Sequence, residues 1–365
     1  MTREHELILE LCKFIKPDSE KIKRLITEPL NFPCVLGQII FHRMGGAAYH
    51  TLREGGLLGL VNREIRNALK IFHDSAAAKS VSMGIALSEL AVAFNNVNFP
   101  FALLKGAYLI SRYPAGLRTS NDIDILICQK NLTELENILK SQGFEQGNIR
   151  NGAFKPASRT EIISSRMNRG ETVPFIKQVN LPEMKHLEID INFSLDFKAK
   201  QETDIVPNLL NNTQPLIQTA QGILPVLSPT DFMIHLCCHL YKEASVYAWV
   251  AMSRDLSLYK FADIYLLLNL WSSVEFYQKL QNRIESLKLQ KECYYALLYT
   301  CELFGIADDF ARQFLNRIRP QDISYLKMVI WPEKNITYGY REDFTDWLFL
   351  SGRKERLYEI ANENA

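Results

Sequence analysis

Two short segments of the chain alternate between acidic and apolar residues, and this pattern restricts the fold more than any other feature of the sequence. Residues 122–128 read DIDILIC, and residues 187–193 read LEIDINF. Because side chains along a β-strand point alternately to opposite faces, each segment predicts a strand with one polar face and one apolar face. The apolar face, which includes Ile123, Ile125 and Ile127, has to pack against another layer of the fold.

The remainder of the chain predicts helices before and after this sheet. Apolar residues recur at helical spacing through residues 1–96 and again from Ser228 onward, whereas short apolar runs begin at Val97. The 365 residues suffice for two or three packed units. We therefore predict an α+β fold: a small mixed β-sheet core at 97–200, flanked by an N-terminal helical region at 1–96 and a C-terminal helical domain at 201–365.

Local patterns predict the individual elements of these regions. Turn residues and changes of period mark where each element ends. The predicted strands are 99–104, 122–128, 172–179 and 186–194, and the predicted helices are 107–113, 132–141, 231–250, 256–270, 274–288, 289–304 and 307–318. The polar stretch 148–170 predicts a mobile loop or a long hairpin connection.

The composition argues against several classes of protein. Lys and Arg number 42 and Asp and Glu number 41, so a net charge near +1 provides no general field for nucleic acid, although a local basic patch stays open. The 7 scattered cysteines without a CxxC motif argue against a disulfide framework or a zinc ribbon. The N-terminus lacks the order of a signal peptide, and no uninterrupted apolar run approaches the length of a membrane span. We therefore expect a cytoplasmic protein without a membrane partner.

The polar faces of the two alternating segments carry candidate metal ligands. Asp122 and Asp124 are expected about 6–7 Å apart along one strand face. Like charges at this distance repel each other unless a cation neutralises them. If the strand at 187–193 lies beside 122–128, Asp190 joins them, and three oxygen donors suit one or two Mg²⁺ ions, or Mn²⁺. The alternative is a solvent-facing sheet edge on which an Asp-x-Asp pair carries only solvated charge.

A Lys-Gly pair upstream of the first acidic segment suggests a phosphate-binding turn. Lys105 and Gly106 are expected at a strand-to-helix junction, where glycine permits a tight turn and a close approach of phosphate to backbone N–H groups. Arg118, four residues before Asp122, can bind phosphate oxygens with its forked guanidinium group. The alternative is an ordinary strand-to-helix turn with two surface cations.

These motifs together resemble a known family. The stretch LLKGAYLISRYPAGLRTSNDIDILI, followed by LEIDINF, is similar to the nucleotidyltransferase superfamily of polymerase-β type, and in particular to its bacterial branch of uncharacterised nucleotidyltransferases. The similarity is strongest over residues 101–145 and 186–195 and extends more weakly into 228–268. It implies metal-dependent transfer of a nucleoside monophosphate from an NTP, such as ATP, to an unidentified acceptor, with release of pyrophosphate.

The resemblance also implies roles for individual residues. Asp122, Asp124 and Asp190 would be the catalytic carboxylates and the ligands of Mg²⁺ or Mn²⁺, with the NTP as co-substrate. The residues that would contact the triphosphate are Lys105, Gly106 and Arg118; Lys260 is a further candidate for nucleotide binding, on its position in the chain and not on the resemblance. The acceptor would be a hydroxyl or phosphate group on a small molecule, a sugar or a peptide.

Two positions depart from the family's pattern. Ala107 follows Gly106 where the superfamily usually has serine or glycine, which removes a hydroxyl that could bind phosphate. Asn192 stands where the family tends to have histidine, so this position keeps hydrogen bonding and loses proton transfer.

Further residues permit both a functional and a structural interpretation. His235 and His239 lie one helical turn apart, a spacing compatible with zinc, but their apolar neighbours favour a packed helix with hydrogen-bonded histidines. Lys260 and Asp263 could face the nucleotide or form a surface ion pair. The basic stretch 150–169 could cover an anionic acceptor or an RNA end, although a solvated loop is the favoured interpretation.

Two functions other than small-molecule transfer stay open at this point. One is a toxin-like transferase that adds nucleotides to RNA, against which the near-zero net charge argues. The other is a non-catalytic nucleotide-binding module that keeps the fold. Three clustered acids argue against the second, because a site without a cation gains nothing from crowded negative charge.

Overall fold

The computed structural model of the chain describes residues 1–195 and 205–360. Two compact units are present. Unit 1 comprises Met1–His73 and Met233–Ala365, and unit 2 comprises Asp74–Phe232. The boundaries thus differ from those of the three predicted regions, because the two terminal helical regions contribute to one unit and residues 74–96 and 205–232 belong with the sheet.

The N-terminal part of unit 1 is helical, as the apolar spacing predicts. Helix α1 packs against α2, α3 and α4, and its buried face includes Leu7, Ile8 and Leu11. Helix α5 begins in unit 1 and ends in unit 2. The helices are α1 (Arg3–Cys12), α2 (Ser19–Thr27), α3 (Phe32–Phe41), α4 (Gly45–Glu54) and α5 (Arg63–Ala93).

Unit 2 is built on a mixed sheet. Within the described residues its strand order is β4-β3-β5-β6-β2-β1-β8-β7. The strands are β1 (Phe101–Leu103), β2 (Asp122–Ile127), β3 (Glu145–Arg150), β4 (Ala153–Pro156), β5 (Phe175–Leu181), β6 (Met184–Asn192), β7 (Thr213–Thr219) and β8 (Gly222–Leu227).

The two acidic segments form neighbouring strands at the centre of this sheet. Strand β2 pairs in parallel with β6 and antiparallel with β1. On one face the isoleucines at 123, 125, 127, 189 and 191 are all completely buried. This apolar layer leaves the acidic side chains of both strands on the opposite face, as the alternation predicts.

In the described part of unit 2, four short helices accompany the sheet together with the second half of α5. They are α6 (Lys105–Leu109), α7 (Leu132–Ser141), α8 (Arg159–Arg169) and α9 (Ile205–Leu210). The second half of α5 is tied to the sheet connections: Ser82 Oγ donates to the Pro182 carbonyl at 2.6 Å, and Lys79 Nζ donates to Asn121 Oδ1 at 2.5 Å. By length and composition α5 could also cross a membrane. Core helices of soluble proteins pass the same test, so this finding assigns no membrane location.

The prediction of a mobile loop or a long hairpin connection over 148–170 agrees with the structure only where β3 and β4 pair, and it is wrong for the helix that follows. Strands β3 and β4 form a hairpin, and α8 follows with a capping box between Ser158 and Glu161. Gly170, at φ 64°, ends the helix in the left-handed conformation. The helix is mostly polar and exposed, and so its sequence lacks the apolar period on which the prediction depended.

The hairpin of β7 and β8 was not predicted either. Pro215 and Pro225 interrupt its two strands, and proline lacks the N–H that a strand interior needs. The pairing accommodates one interruption with a register shift between Gln214 and Ile217. Strand β8 then pairs with β1, so this unpredicted hairpin extends the sheet beside the candidate site.

The C-terminal part of unit 1 consists of helices and a small antiparallel sheet. A buried ion pair stabilises it: Arg353 Nη2 and Nε contact the two carboxylate oxygens of Asp255 at 2.6 and 2.8 Å. The helices are α10 (Pro229–Ser245), α11 (Tyr247–Ala251), α12 (Leu258–Trp271), α13 (Val274–Leu287), α14 (Gln290–Phe304), α15 (Asp309–Ile318) and α16 (Phe344–Phe349). The strands are β9 (Met328–Trp331), β10 (Ile336–Gly339) and β11 (Tyr358–Glu359).

Candidate active site

The parallel pairing of β2 with β6 brings the predicted carboxylates together. Asp124 lies opposite Asp190 in the register, and Asp122 lies opposite Glu188. All four therefore project from one face of two adjacent strands, about 5 Å apart across the sheet. A shift of one residue in this register would have turned Asp190 into the apolar layer. The convergence expected from the two alternating segments is thus present in the fold.

Lys105 joins this face from the first position of α6, where the chain turns after β1. The Leu104 N–H donates to the Asp124 carbonyl at 2.9 Å and so holds the turn against β2. Lys105 Nζ then contacts Asp124 Oδ1 at 2.7 Å. The backbone of Lys105 has φ 40°, a conformation that costs a non-glycine residue about 1 kcal/mol or more. The lysine predicted to bind phosphate is therefore paired with a predicted metal ligand.

Asn192 contacts the same carboxylate oxygen. Its Nδ2 donates to Asp124 Oδ1 at 3.3 Å within the buried part of the site. Asp124 itself is only 4% exposed. The asparagine that replaces the family's usual histidine thus acts as a hydrogen-bond donor that orients Asp124.

Ser120 is a site residue that the sequence analysis missed. Its Oγ donates to Asp122 Oδ1 at 3.0 Å. A Cβ atom built on Gly106 would lie 1.9 Å from Ser120 Oγ and 2.5 Å from Ser120 Cβ. Gly106 is therefore required by the packing of the turn against Ser120, whether or not phosphate also approaches it. The sequence signal for this role is the position of Ser120, which lies two residues before Asp122 and so within reach of its carboxylate.

Arg118 precedes this serine on the same connection. Its Nη1 donates to the Thr119 carbonyl, and its charge opposes in part the rise in the pKa of Asp122 that burial and Asp124 cause. Arg118 is thus close enough to Asp122 to act on it electrostatically. Its contact with a triphosphate stays a prediction.

Burial and mutual repulsion raise the pKa values of the acids. Burial raises the pKa of Asp190 well above its ordinary value, and the charges of Asp124, Asp122 and Glu188 raise it further. Burial, and then the charge of Asp124, also raises the pKa of Asp122, against the opposing effects of Lys105 and Ser120. Glu188 reaches a pKa of about 6 because of burial and the charges of Asp122 and Asp124. The site is thus a cluster of acids whose ionised forms lack sufficient counter-charge.

These acids fit a hard divalent cation in their chemistry, since Mg²⁺ and Mn²⁺ prefer carboxylate oxygens. A bound cation would reduce the repulsion between the carboxylates, and this favours its binding. Among the residues that the structure describes, no group of three His, Cys, Asp or Glu side chains is arranged ready to hold a metal ion. Lys105 already contacts one Asp124 oxygen, at 2.7 Å.

Lys260 and the two histidines belong to unit 1. Lys260 Nζ contacts Glu243 Oε2 at 2.6 Å and donates to the carbonyl oxygens of Asp255 and Arg254 at 3.0 and 3.2 Å. The rings of His235 and His239 stack with 6.3 Å between their centroids, and His239 Nε2 lies 3.5 Å from the same Glu243 oxygen. These contacts stabilise α10 and α12, and a nucleotide contact by Lys260 stays a prediction.

The basic stretch 150–169 carries ion pairs of its own. Arg150 contacts Glu161 at 3.2 Å, and Arg166 contacts Glu136. Arg169 lies 3.8 Å from the neighbouring Glu171. Part of its positive charge is therefore balanced locally, although the segment forms the β3–β4 hairpin and α8 and not the predicted solvated loop.

A family model described as "Uncharacterised nucleotidyltransferase" matches residues 28–305 of the chain. The chain belongs to this family. The predicted resemblance is confirmed, and with it a nucleotidyltransferase that takes a nucleotide as substrate. No curated protein shows a significant match.

Two solved structures are similar to parts of the chain. One is the crystal structure of an antigenic nucleotidyltransferase-like protein from Paracoccidioides brasiliensis, with 16% identity and a TM-score of 0.34 over 59% of this chain and 93% of that one. The other is the solution structure of the antibiotic-resistance factor ANT(2'')-Ia, with 12% identity and a TM-score of 0.32 over 58% of this chain and 95% of that one. At these TM-scores the assignment rests on the family match.

Proposed function

We propose that this nucleotidyltransferase requires Mg²⁺, or Mn²⁺, and transfers a nucleoside monophosphate from an NTP such as ATP to a hydroxyl or phosphate group of a small molecule, sugar or peptide. The observation that carries the proposal is the register in which Asp124 lies opposite Asp190 on adjacent parallel strands, with Asp122 on the same face. The NTP and the metal are cytoplasmic solutes, and we place the reaction in that compartment.

Charge supports a requirement for a cation. Asp122, Asp124, Asp190 and Glu188 face a region in which the charges of Lys105 and Arg118 oppose them only in part. A triphosphate carries several negative charges of its own, so it cannot approach four carboxylates without further positive charge. Asp122, Asp124 and Asp190 are the residues that would hold the divalent ion. A bound ion would neutralise the phosphates and lower the barrier to displacement at the α-phosphorus.

The chain's own residues position the reactants. In the proposed step an acceptor oxygen forms a bond to the α-phosphorus, the bond from that phosphorus to the bridging oxygen of the β-phosphate breaks, and pyrophosphate leaves. Asp190, which lies opposite Asp124 in the register, takes the acceptor's proton. Lys105 and Arg118 bind phosphate oxygens, while Ser120 and Asn192 hold Asp122 and Asp124 in place.

Ligand-induced stabilisation tests the binding step before the acceptor is known. At about 100 times its dissociation constant, a ligand specific for the folded state adds about 2.7 kcal/mol, or roughly 5–10 °C in melting temperature for a unit of this size. We expect this shift from one or more of the four NTPs with Mg²⁺. Asp122→Asn and Asp190→Asn should abolish the Mg²⁺-dependent part, whereas Glu145→Gln, which changes an exposed acid on β3, should keep it. A full shift in both aspartate variants would refute the proposal.

Product analysis tests the transfer step. Labelled NTPs are incubated with Mg²⁺ and either a protein-free small-molecule extract, a peptide pool or total RNA, and pyrophosphate and labelled adducts are measured. Labelling in the extract or peptide arm, lost in Asp190→Asn, supports the proposal. Labelling confined to RNA would assign the toxin-like function instead, and nucleotide binding with no pyrophosphate release in any arm would indicate a non-catalytic module.

A further inference from the structure

The contact between Lys105 and Asp124 brings together two residues that the proposed function uses separately. Lys105 Nζ lies 2.7 Å from Asp124 Oδ1, and the side chains of the two residues are 21% and 5% exposed. Asn192 Nδ2 lies 3.3 Å from the same oxygen. This oxygen of a proposed metal ligand therefore already carries an ammonium group and an amide donor.

The backbone holds the lysine in this position. Strand β1 lies beside β2, and the Leu104 N–H donates to the Asp124 carbonyl, which places residue 105 next to the Asp124 side chain. The φ of 40° at Lys105 is a strained conformation for a residue with a side chain. Lys105 thus keeps a strained backbone at the position where its side chain pairs with the carboxylate.

From this geometry we propose that Lys105 is a positioning residue that competes with the divalent cation for Asp124 and moves to the triphosphate when metal and nucleotide bind together. The inference rests on the proposed function. Two cations repel each other at one carboxylate oxygen, so the ammonium group leaves as a metal ion arrives. A triphosphate accepts that ammonium group, because the lysine side chain is long and flexible and its charge is compact.

Competition of this kind makes two ligands depend on each other. Without nucleotide, a metal ion has to displace Lys105 into water, and its affinity is lowered. Without metal, a triphosphate has to withdraw Lys105 from Asp124, and its affinity is lowered as well. When both bind, each removes the obstacle to the other, which is positive coupling through one side chain.

Binding of Mn²⁺ alone, followed by its electron paramagnetic resonance signal, tests the first dependence. Lys105→Met is expected to bind Mn²⁺ about tenfold more tightly than the unaltered chain, which corresponds to the loss of a competing contact of about 1.4 kcal/mol. Lys130→Met, which removes the same charge from an exposed site after β2, should leave the affinity unchanged. Equal or weaker binding by Lys105→Met, with the fold intact by circular dichroism, would overturn the inference.

Binding of inorganic triphosphate in the presence of a chelator, measured by calorimetry, tests the second dependence. Asp124→Asn releases Lys105 and should increase the affinity by about tenfold. Glu188→Gln removes one negative charge from the same cluster without contacting Lys105, so it controls for the general loss of repulsion. The gain in triphosphate affinity of Asp124→Asn must exceed that of Glu188→Gln. It must also disappear in the double variant that carries both Asp124→Asn and Lys105→Met. A gain that persists in the double variant would overturn the inference.

The two proposals fail in different ways. If Mn²⁺ binding, with or without nucleotide, is insensitive to Asp122→Asn and Asp190→Asn, the metal does not occupy this cluster, and both the proposed function and the inference are refuted. If Mn²⁺ binding depends on both aspartates but Lys105→Met does not strengthen it, the metal site stands and only the competition by Lys105 is refuted.

Discussion

Gly106 lies against Ser120 so closely that a single methyl group at position 106 should disrupt the site. An alanine Cβ at this position would lie 1.9 Å from Ser120 Oγ, 2.5 Å from Ser120 Cβ and 3.9 Å from the Asp122 carbonyl oxygen. The hydroxyl can rotate away from such a contact, but the Ser120 Cβ is bonded to the backbone and can move only if the chain moves. Because carbon atoms pack at about 3.5–4.0 Å, the two segments would have to separate by about 1 Å.

The cost follows from the overpacking and from the hydrogen bond that is lost with it. Overpacking of a well-packed site costs about 1–3 kcal/mol. Rotation of the Ser120 hydroxyl also removes its 3.0 Å bond to Asp122, and a hydrogen bond to a charged group contributes about 1.5–3 kcal/mol when buried. We expect Gly106→Ala to lower the free energy of unfolding by about 2.5–6 kcal/mol, which corresponds to roughly 5–24 °C in melting temperature. Mg²⁺-dependent nucleotide binding should weaken too, since Asp122 loses its orientation.

The identity of the clashing atoms can be tested with second-site variants. Ser120→Gly removes both Cβ and Oγ and should restore most of the overpacking term of Gly106→Ala, giving a coupling energy of about 1–3 kcal/mol in a double-mutant cycle. Ser120→Ala keeps the Cβ at 2.5 Å and should restore little. Gly84→Ala is the matched control, because this helical glycine has no atom within 4 Å of an added Cβ. It should be neutral or stabilising by about 0.5–1 kcal/mol.

Urea denaturation at constant pH measures each free energy. A Gly106→Ala variant as stable as the unaltered chain would refute the proposed clash, because the turn would then have room for a side chain. Rescue of Gly106→Ala by Ser120→Ala as complete as the rescue by Ser120→Gly would refute the role of the Ser120 Cβ. In that case the strain would arise from the hydroxyl alone.

Two further predictions concern the stability of unit 1. Burial, together with the charge of Arg353, lowers the pKa of His42 to about 3, so the stability this neutral histidine contributes is complete above its ordinary pKa of 6.5 and falls as the pH drops toward 3. Between pH 6.5 and pH 5 the free energy of unfolding should fall by about 2 kcal/mol. His42→Gln, measured by urea denaturation, should reduce this dependence on pH. An unchanged dependence on pH would exclude His42 as its source. Asp255→Ala should lower the free energy of unfolding by about 3–5 kcal/mol in the same assay, because it leaves Arg353 charged and buried. Arg353→Met added to Asp255→Ala should recover part of this loss. No recovery would contradict the ion-pair explanation.

The sequence by itself determined the central strands and the face on which their acids lie. Alternation with a period of two is a local property, and it placed Asp122 and Asp124 on the polar face of β2 and Asp190 on that of β6. Helical spacing likewise predicted α7 over Leu132–Ser141. These predictions succeeded because each depends on residues that are neighbours along the chain.

Other features were hidden from the sequence because their signals are weak or interrupted. Helix α8 is mostly polar, so its capping box, formed by Ser158 and Glu161, is the clearest mark of its beginning. The hairpin of β7 and β8 contains Pro215 and Pro225, which local patterns treat as breaks. Pairing with β1 stabilises β8 despite its proline, and that pairing is a property of the sheet.

Only the tertiary structure decided how the site residues contact one another. Strand register placed Asp190 opposite Asp124, although 66 positions separate them in the numbering. The same packing put Lys105 on Asp124 and Ser120 beneath Gly106. Contacts between distant segments depend on how sheets and turns pack in three dimensions, and no local period records that packing. The sequence determined which residue types face the site, and the fold determined which atoms meet there.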